Sequence, residues 1–411
     1  MSGTSPSFER DAYPGRPRIL FVGPGESSHT HSWVDLLEGE PFNVRVFAMP
    51  QGSPPDSWPV RTYITEYAGD IRDSATRRRL YPRARVARFA RRNYERFFGA
   101  KGVEELSAKW LADIVRRWRP HVVHTFGLAQ GEFYFDARRR YGLEGAGGVW
   151  VLQTRGGSDL ALSRLDPAQR GRIGEVMRAC DQLLSDNPQN FQIARELGVR
   201  DEQLSSIGTV PGTGGIDVEA LAGRWRGSPS ARRLIVWPKV YECHWSKALP
   251  VFEALKLCWE RIRPCEIELL AMSPETRMWF WALPEEIRAS CRTRERIPRA
   301  EALELMTRAR VMLAPTLVDG VPNSMYEAMA AGAFPVVSPL ETILPVVEQE
   351  QNVLFARNLY PEEVAAALAR AMTDDALVDA AAERNLALVR RVADRGRVRP
   401  RVLDLYERLA G

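Results

Sequence analysis

A chain of 411 residues, 45% apolar and 27% charged, is too long for one ordinary core and too apolar for a disordered or fibrous protein, so two globular domains are expected. No apolar run approaches the roughly 20 residues that span a bilayer, and residues 1–17 lack the apolar centre of a secretory signal, which points to the cytoplasm. The five cysteines are odd in number and form no C-x-x-C pair, which argues against a disulfide framework or a zinc site, and the formal net charge of +5 is unevenly spread.

In chain order, short β-rich apolar runs alternate with helical patterns, as in parallel sheets covered by helices. The first set of strands is Ile19–Val22, Val44–Ala48, Val122–His124, Val149–Leu152 and Gln182–Ser185, with Val34–Glu38 and Phe191–Leu197 read as parts of intervening helices. The glycine-rich turn Phe21-Val-Gly-Pro-Gly-Glu-Ser-Ser-His29 follows the first strand and makes Gly23, Gly25 and His29 candidates for a ligand-facing loop; it lacks the G-x-G-x-x-G of a nicotinamide site, and a plain structural turn is the alternative. Between Arg72 and Arg96 ten arginines meet two acids, Asp73 and Glu95. Over Arg77–Arg96 basic and apolar residues alternate at helical spacing, and three readings stand together: a helix on an anionic membrane beside a lipid-linked acceptor, a grip on an acidic acceptor, or a solvated face. No nucleic-acid module accompanies the charge, so no nucleic-acid partner is expected.

The run Gly208-Thr-Val-Pro-Gly-Thr-Gly-Gly215 breaks the pattern and reads as a linker, dividing residues 1–207 from 216–394. Beyond it, Leu234–Trp237, Ile267–Leu270, Val311–Ala314, Phe334–Val337 and Val353–Phe355 form a second set of strands, with helices such as Ala248–Glu260 and Glu301–Ala309 between them. The last amphipathic stretch, within 395–411, is expected to be helical from about Arg401, after Pro400, and to lie on either domain.

The segment Val311 to Ser338 reads as strand, loop, short helix, strand. Asp319-Gly320 and Pro322 make a turn, Ser324 takes the N-cap, and Gly332 ends the helix in the left-handed conformation. The loop then offers the amides of Gly320, Val321, Asn323 and Ser324 at the carboxyl end of a parallel strand, a place that suits a pyrophosphate. Asp319 and Glu327 flank it with carboxylates able to accept from sugar and ribose hydroxyls. The competing reading makes Ser324-Met-Tyr-Glu327 a capping box and Asp319-Gly320 a common turn.

The same segment resembles the donor motif of glycosyltransferase family 4, in which two acids with seven residues between them lead into an E-A-M-A-x-G helix; here these are Asp319 and Glu327-Ala-Met-Ala-Ala-Gly332, with Asp in place of the commoner Glu. Looser likenesses run through Val122-Val-His-Thr-Phe-Gly127, Cys180-Asp-Gln-Leu-Leu-Ser-Asp186 and Thr209-Val-Pro-Gly-Thr-Gly-Gly-Ile-Asp217. The resemblance implies an α/β chain of GT-B fold, two Rossmann-like domains whose parallel sheets face a central cleft. It further implies a retaining transferase that uses a nucleotide-sugar donor as substrate and a carbohydrate or lipid-linked acceptor, without a cofactor or metal. In such enzymes the first acid contacts the transferred sugar, the amides of the donor-binding loop Gly320-Val-Pro322-Asn-Ser324 hold sugar and diphosphate, and the second acid binds ribose. Lys239 and Lys247 stand where the family carries a basic pair for the leaving diphosphate, and Arg155 where it carries a histidine, near the reacting carbon, in an H-G-x-D turn; His124 at the preceding strand end is a second candidate, with a satisfied core histidine as the alternative. An arginine there cannot act as a base at neutral pH, but it suits a phosphate or an anionic acceptor. A degenerate, non-catalytic binder of nucleotide sugars is the main rival reading; a GT-B epimerase would need paired carboxylates, and a phosphorylase a pyridoxal-phosphate lysine.

Overall fold

The computed structural model describes residues 10–49, 54–55, 57–65, 104–156 and 160–411. The arginine-rich segment Arg77–Arg96, and with it the membrane reading, lies outside them. Among the described residues no helix is long and apolar enough to cross a membrane.

Among the described residues, twelve strands form two six-stranded sheets. The first holds β1 (Arg18–Pro24), β2 (Asn43–Met49), β3 (Arg61–Ile64), β4 (Val122–Phe126), β5 (Val149–Thr154) and β6 (Gln182–Ser185) in the order β3-β2-β1-β4-β5-β6. The second holds β7 (Leu234–Trp237), β8 (Glu266–Leu269), β9 (Cys291–Thr293), β10 (Ala309–Ala314), β11 (Phe334–Val337) and β12 (Leu354–Phe355) in the order β12-β11-β10-β7-β8-β9. All pairings are parallel, and both orders are that of the doubly wound dinucleotide-binding fold.

Parallel strands covered on both faces need apolar residues at odd and even positions alike. In β1 the period of two sends Leu20 and Val22 into one core and Ile19 and Phe21 into the other, all four at 0% exposure. In β7, Ile235 and Trp237 enter one core while Leu234 and Val236 enter the second. Each such side chain contributes about 1.5–3 kcal/mol by leaving water.

The chain crosses between the domains twice, side by side. The Ile216 amide donates to the Ala393 carbonyl and the Arg395 amide to the Ile216 carbonyl, both at 2.8 Å. The final helix runs from Arg395 to Leu409, so it does not wait for Pro400, which lies inside it. Asp394 caps its start by accepting from the Arg397 amide, and Val398, Val402, Leu405 and Tyr406 bury themselves in the first domain's core beside Trp33 and Leu36. That docking offsets the hydrogen bond a helix-interior proline forfeits.

Candidate active site

The strand order reverses between β1 and β4 in one sheet and between β7 and β10 in the other, so the loops leaving these strands diverge and open the crevice in which such sheets hold ligands. Lys239 follows β7 and Asp319 follows β10, and Lys239 Nζ donates to Asp319 Oδ2 at 3.4 Å. Asp319 raises the Lys239 pKa against the opposing pull of burial, with Tyr241 and Glu327 adding to the rise, so the ammonium is charged at neutral pH.

The loop after β10 is held from three sides. Leu317 N donates to the Trp245 carbonyl at 2.9 Å, Thr342 Oγ1 reaches the carbonyls of Asp319 and Gly320 at 2.8 and 3.1 Å, and Val321 is buried in the core. The Gly320 amide turns back onto Asp319 Oδ1 at 2.8 Å instead of standing open for a phosphate.

The next helix, Asn323–Ala330, has buried Pro322 at its N-cap, so Ser324 is its second residue and not the cap. The amides of Asn323 and Ser324 have no acceptor within the helix and are available to an anion. The capping box is also absent: Glu327 Oε1 instead accepts from Arg299 Nε and Nη2 at 2.9 and 2.7 Å. Burial raises the Glu327 carboxyl pKa, and Arg299 and Lys239 oppose the rise. The helix ends as expected, with Gly332 at φ +79° and the Ala333 amide donating to the Ala328 carbonyl at 2.8 Å.

On the opposite wall, Gly23 lies where a Cβ would come within 2.7 Å of the Phe126 ring, and the Gly25 carbonyl accepts from His31 Nε2 at 2.6 Å. His29 is open to the crevice, yet partial burial there, then Arg155, Lys239, Arg299 and Arg296, push its imidazole down to about 4. Lys239 and Arg299 come from the second sheet's side, so the first-strand loop faces the Asp319 loop across the cleft. The Arg155 guanidinium lies 4.3 Å above the Phe126 ring.

One candidate is elsewhere. His124 is fully buried among Phe21, Trp33 and Phe126, and its Nδ1 bonds the Tyr406 hydroxyl at 2.6 Å; the last helix covers the strand end that was to present it. Lys247 pairs at 3.0 Å with Glu242, whose other oxygen accepts the Ala248 amide at 2.9 Å; the Lys247 amide donates to Asn358 Oδ1 at 3.0 Å and Asn358 Nδ2 donates to the Pro315 carbonyl at 2.9 Å, so Lys247 stands beside the start of the loop that carries Asp319. Three residues escaped the sequence reading: Arg299, Thr342 and Asp186, the last in a strand end quoted for its likeness but given no chemistry.

The domains touch where the two loops meet. A Cβ on Gly320 would lie 2.6 Å from Gly156 Cα, so only glycine allows this approach. Thr213 Oγ1 donates to Asn323 Oδ1 at 3.0 Å, and Arg164 pairs with Glu341 at 3.2 Å.

The family model described as Glycosyl transferases group 1 matches residues 248–374, less than half of the chain. No curated protein sequence matches. Among solved structures, sucrose-phosphate synthase from Thermosynechococcus elongatus is similar at TM-score 0.67 and 14% identity, over 96% of this chain and 99% of that one. Anabaena Alr3699/HepE in complex with UDP and glucose gives 0.65 and 11%, over 95% and 100%, and a glycosyltransferase from Rickettsia africae 0.66 and 11%, over 96% and 99%. The chain therefore has the GT-B glycosyltransferase fold, and its second domain carries the match to the group 1 glycosyl transferases.

Proposed function

We propose that the protein is a glycosyltransferase that moves a sugar from a nucleotide-sugar donor to an acceptor hydroxyl with retention of anomeric configuration. The observation that carries the reading is the convergence of Lys239, Asp319 and Glu327 around one loop at the strand-order reversal of the second sheet. The group 1 match over that loop and the UDP-glucose complex of the similar HepE structure support it.

In this reading the donor diphosphate takes Lys239 from Asp319 and meets the Asn323 and Ser324 amides. Asp319, released, accepts from a hydroxyl of the transferred sugar. Glu327 keeps one oxygen on Arg299 and offers the other to ribose. The acceptor hydroxyl attacks from the face the diphosphate leaves, and the protein supplies positioning and preorganised charge in place of a nucleophile or a resident cofactor.

Thermal shift against a panel of nucleotide sugars identifies the donor, and proton NMR of the product's anomeric centre reports retention or inversion. With that donor and a productive acceptor, Asp319→Asn is expected to lower kcat about a hundredfold while nucleotide affinity stays within about threefold. Wild-type turnover in this variant would remove the sugar contact, and donor binding without transfer or hydrolysis would return the chain to the binder reading.

A further inference from the structure

At the end of β6 stands a carboxyl that none of this chemistry uses. Asp186 is 8% exposed. Its Oδ1 accepts from Asn187 Nδ2 at 2.7 Å, and its Oδ2 from the Gly156 amide at a long 3.4 Å. Beyond Oδ2 the space is filled by the other domain, since a Cβ on Gly320 would lie 2.7 Å from that oxygen. Two hydrogen bonds, one of them long, compensate poorly for the water that an ionised carboxylate has given up.

We propose that Asp186 is a positioning residue of the closed cleft, whose side chain sets how tightly the Gly156 turn seats on the Gly320 donor loop, the closed arrangement holding best when the carboxyl is neutral. The charged and titratable groups around it are Asp319 across the contact, Arg155 on its own side and Tyr326 in the helix behind the loop. Burial pushes the Asp186 carboxyl up to about 7; the Asn187 and Gly156 hydrogen bonds and Arg155 pull it down, and Asp319 pushes it further up.

When the domains part, water reaches the carboxyl and its pKa returns toward the usual ~4. Closure then takes up a proton. It is unpenalised below the open-state pKa, weakens as pH rises between the two values, and carries its full penalty above about 7. The cleft histidine does not share this window, because His29 is held near 4, and buried His124 is held well below its ordinary value. An incoming diphosphate adds negative charge and drives Asp186 further toward its neutral form, which couples donor binding to proton uptake. This last coupling rests on the transferase reading; the closure does not.

Small-angle scattering of the full chain without nucleotide, from about pH 5.5 to about pH 8.5, reads closure directly. The wild-type radius of gyration is expected to rise with pH, and Asp186→Asn, which keeps an acceptor oxygen and loses the charge, to stay compact throughout. Gly320→Ala wedges the contact and is expected to stay extended at every pH, with calorimetry verifying that both variants are folded. A pH-independent wild type, an unchanged pH dependence in Asp186→Asn, or a Gly320→Ala that closes like wild type would each overturn the proposal. In the transfer assay, kcat/KM for the identified donor should fall roughly fivefold more in wild type than in Asp186→Asn between about pH 6 and about pH 8. A chain that closes as described but transfers no sugar counts against the transferase reading and leaves Asp186 in its role.

Discussion

Arg299 spends two donors on a single oxygen of Glu327, leaving the other oxygen for a ligand. Burial raises the Glu327 pKa while Arg299 restrains it, so the ionised, hydroxyl-accepting form exists above that raised value and is lost as pH falls through it. Glu327→Gln is expected to weaken nucleotide binding by about 1–2 kcal/mol in calorimetry. Its melting temperature should hold or rise, because a carboxyl whose pKa is raised by folding costs stability at neutral pH. Arg299→Gln should shift the acid loss of affinity to higher pH, and an unshifted profile would separate the two residues. Asp319 and Glu327 were legible in the sequence because they lie in one contiguous motif, and Lys239 only through the family resemblance. Arg299 and Thr342 reach the loop from separate elements with no spacing that announces them. His124 misled for a related reason: its strand end looks open until Tyr406, far along the chain, is laid over it.

The helix Asn323–Ala330 is fixed at its far end by Gly332, and Trp225 Nε1 donates to the Ala330 carbonyl at 2.8 Å with its ring lying over the glycine. A Cβ at position 332 would meet that ring at 2.9–3.1 Å in a backbone conformation that alanine resists. Gly332→Ala is therefore expected to cost about 2 kcal/mol in chemical denaturation. Donor affinity should fall with it, since the same helix starts at the donor loop; intact stability would mean that the Trp225 contact yields. Apolar runs identified the interior strands well. They missed β3, where Arg61-Thr-Tyr-Ile64 opens with two polar residues after a proline-rich stretch, and β9, three residues with an exposed end. Both are edge strands, and an edge need not be apolar on both faces. The last helix was cut short at Pro400 because local preference favours a start there, whereas burial of Val398 and anchoring of Arg399 Nε on the Leu36 carbonyl at 2.9 Å extend it by a turn and more.

Across the whole molecule, the first domain is completed by the end of the chain. Tyr406 joins Trp33 Nε1, 2.9 Å away, to His124 Nδ1 through one buried hydroxyl. Tyr406→Phe leaves both groups without that partner and is expected to cost about 2 kcal/mol, with faster amide exchange in β1 and β4 and unchanged exchange in β7 and β10. Equal acceleration in both sheets would mean that the domains unfold as one unit. The paired crossings at Ile216 and Arg395 carry a further consequence for biosynthesis. The second sheet lies on one uninterrupted stretch, from Leu234 to Phe355, and has all its strands once that stretch has left the ribosome. The first domain begins earlier and finishes later, its core open along Trp33, Leu36 and His124 until residues 395–409 are made. The second sheet is therefore expected to be able to settle before the first is covered, so that protease resistance in chains halted before residue 395 should appear in the second sheet and not in the first.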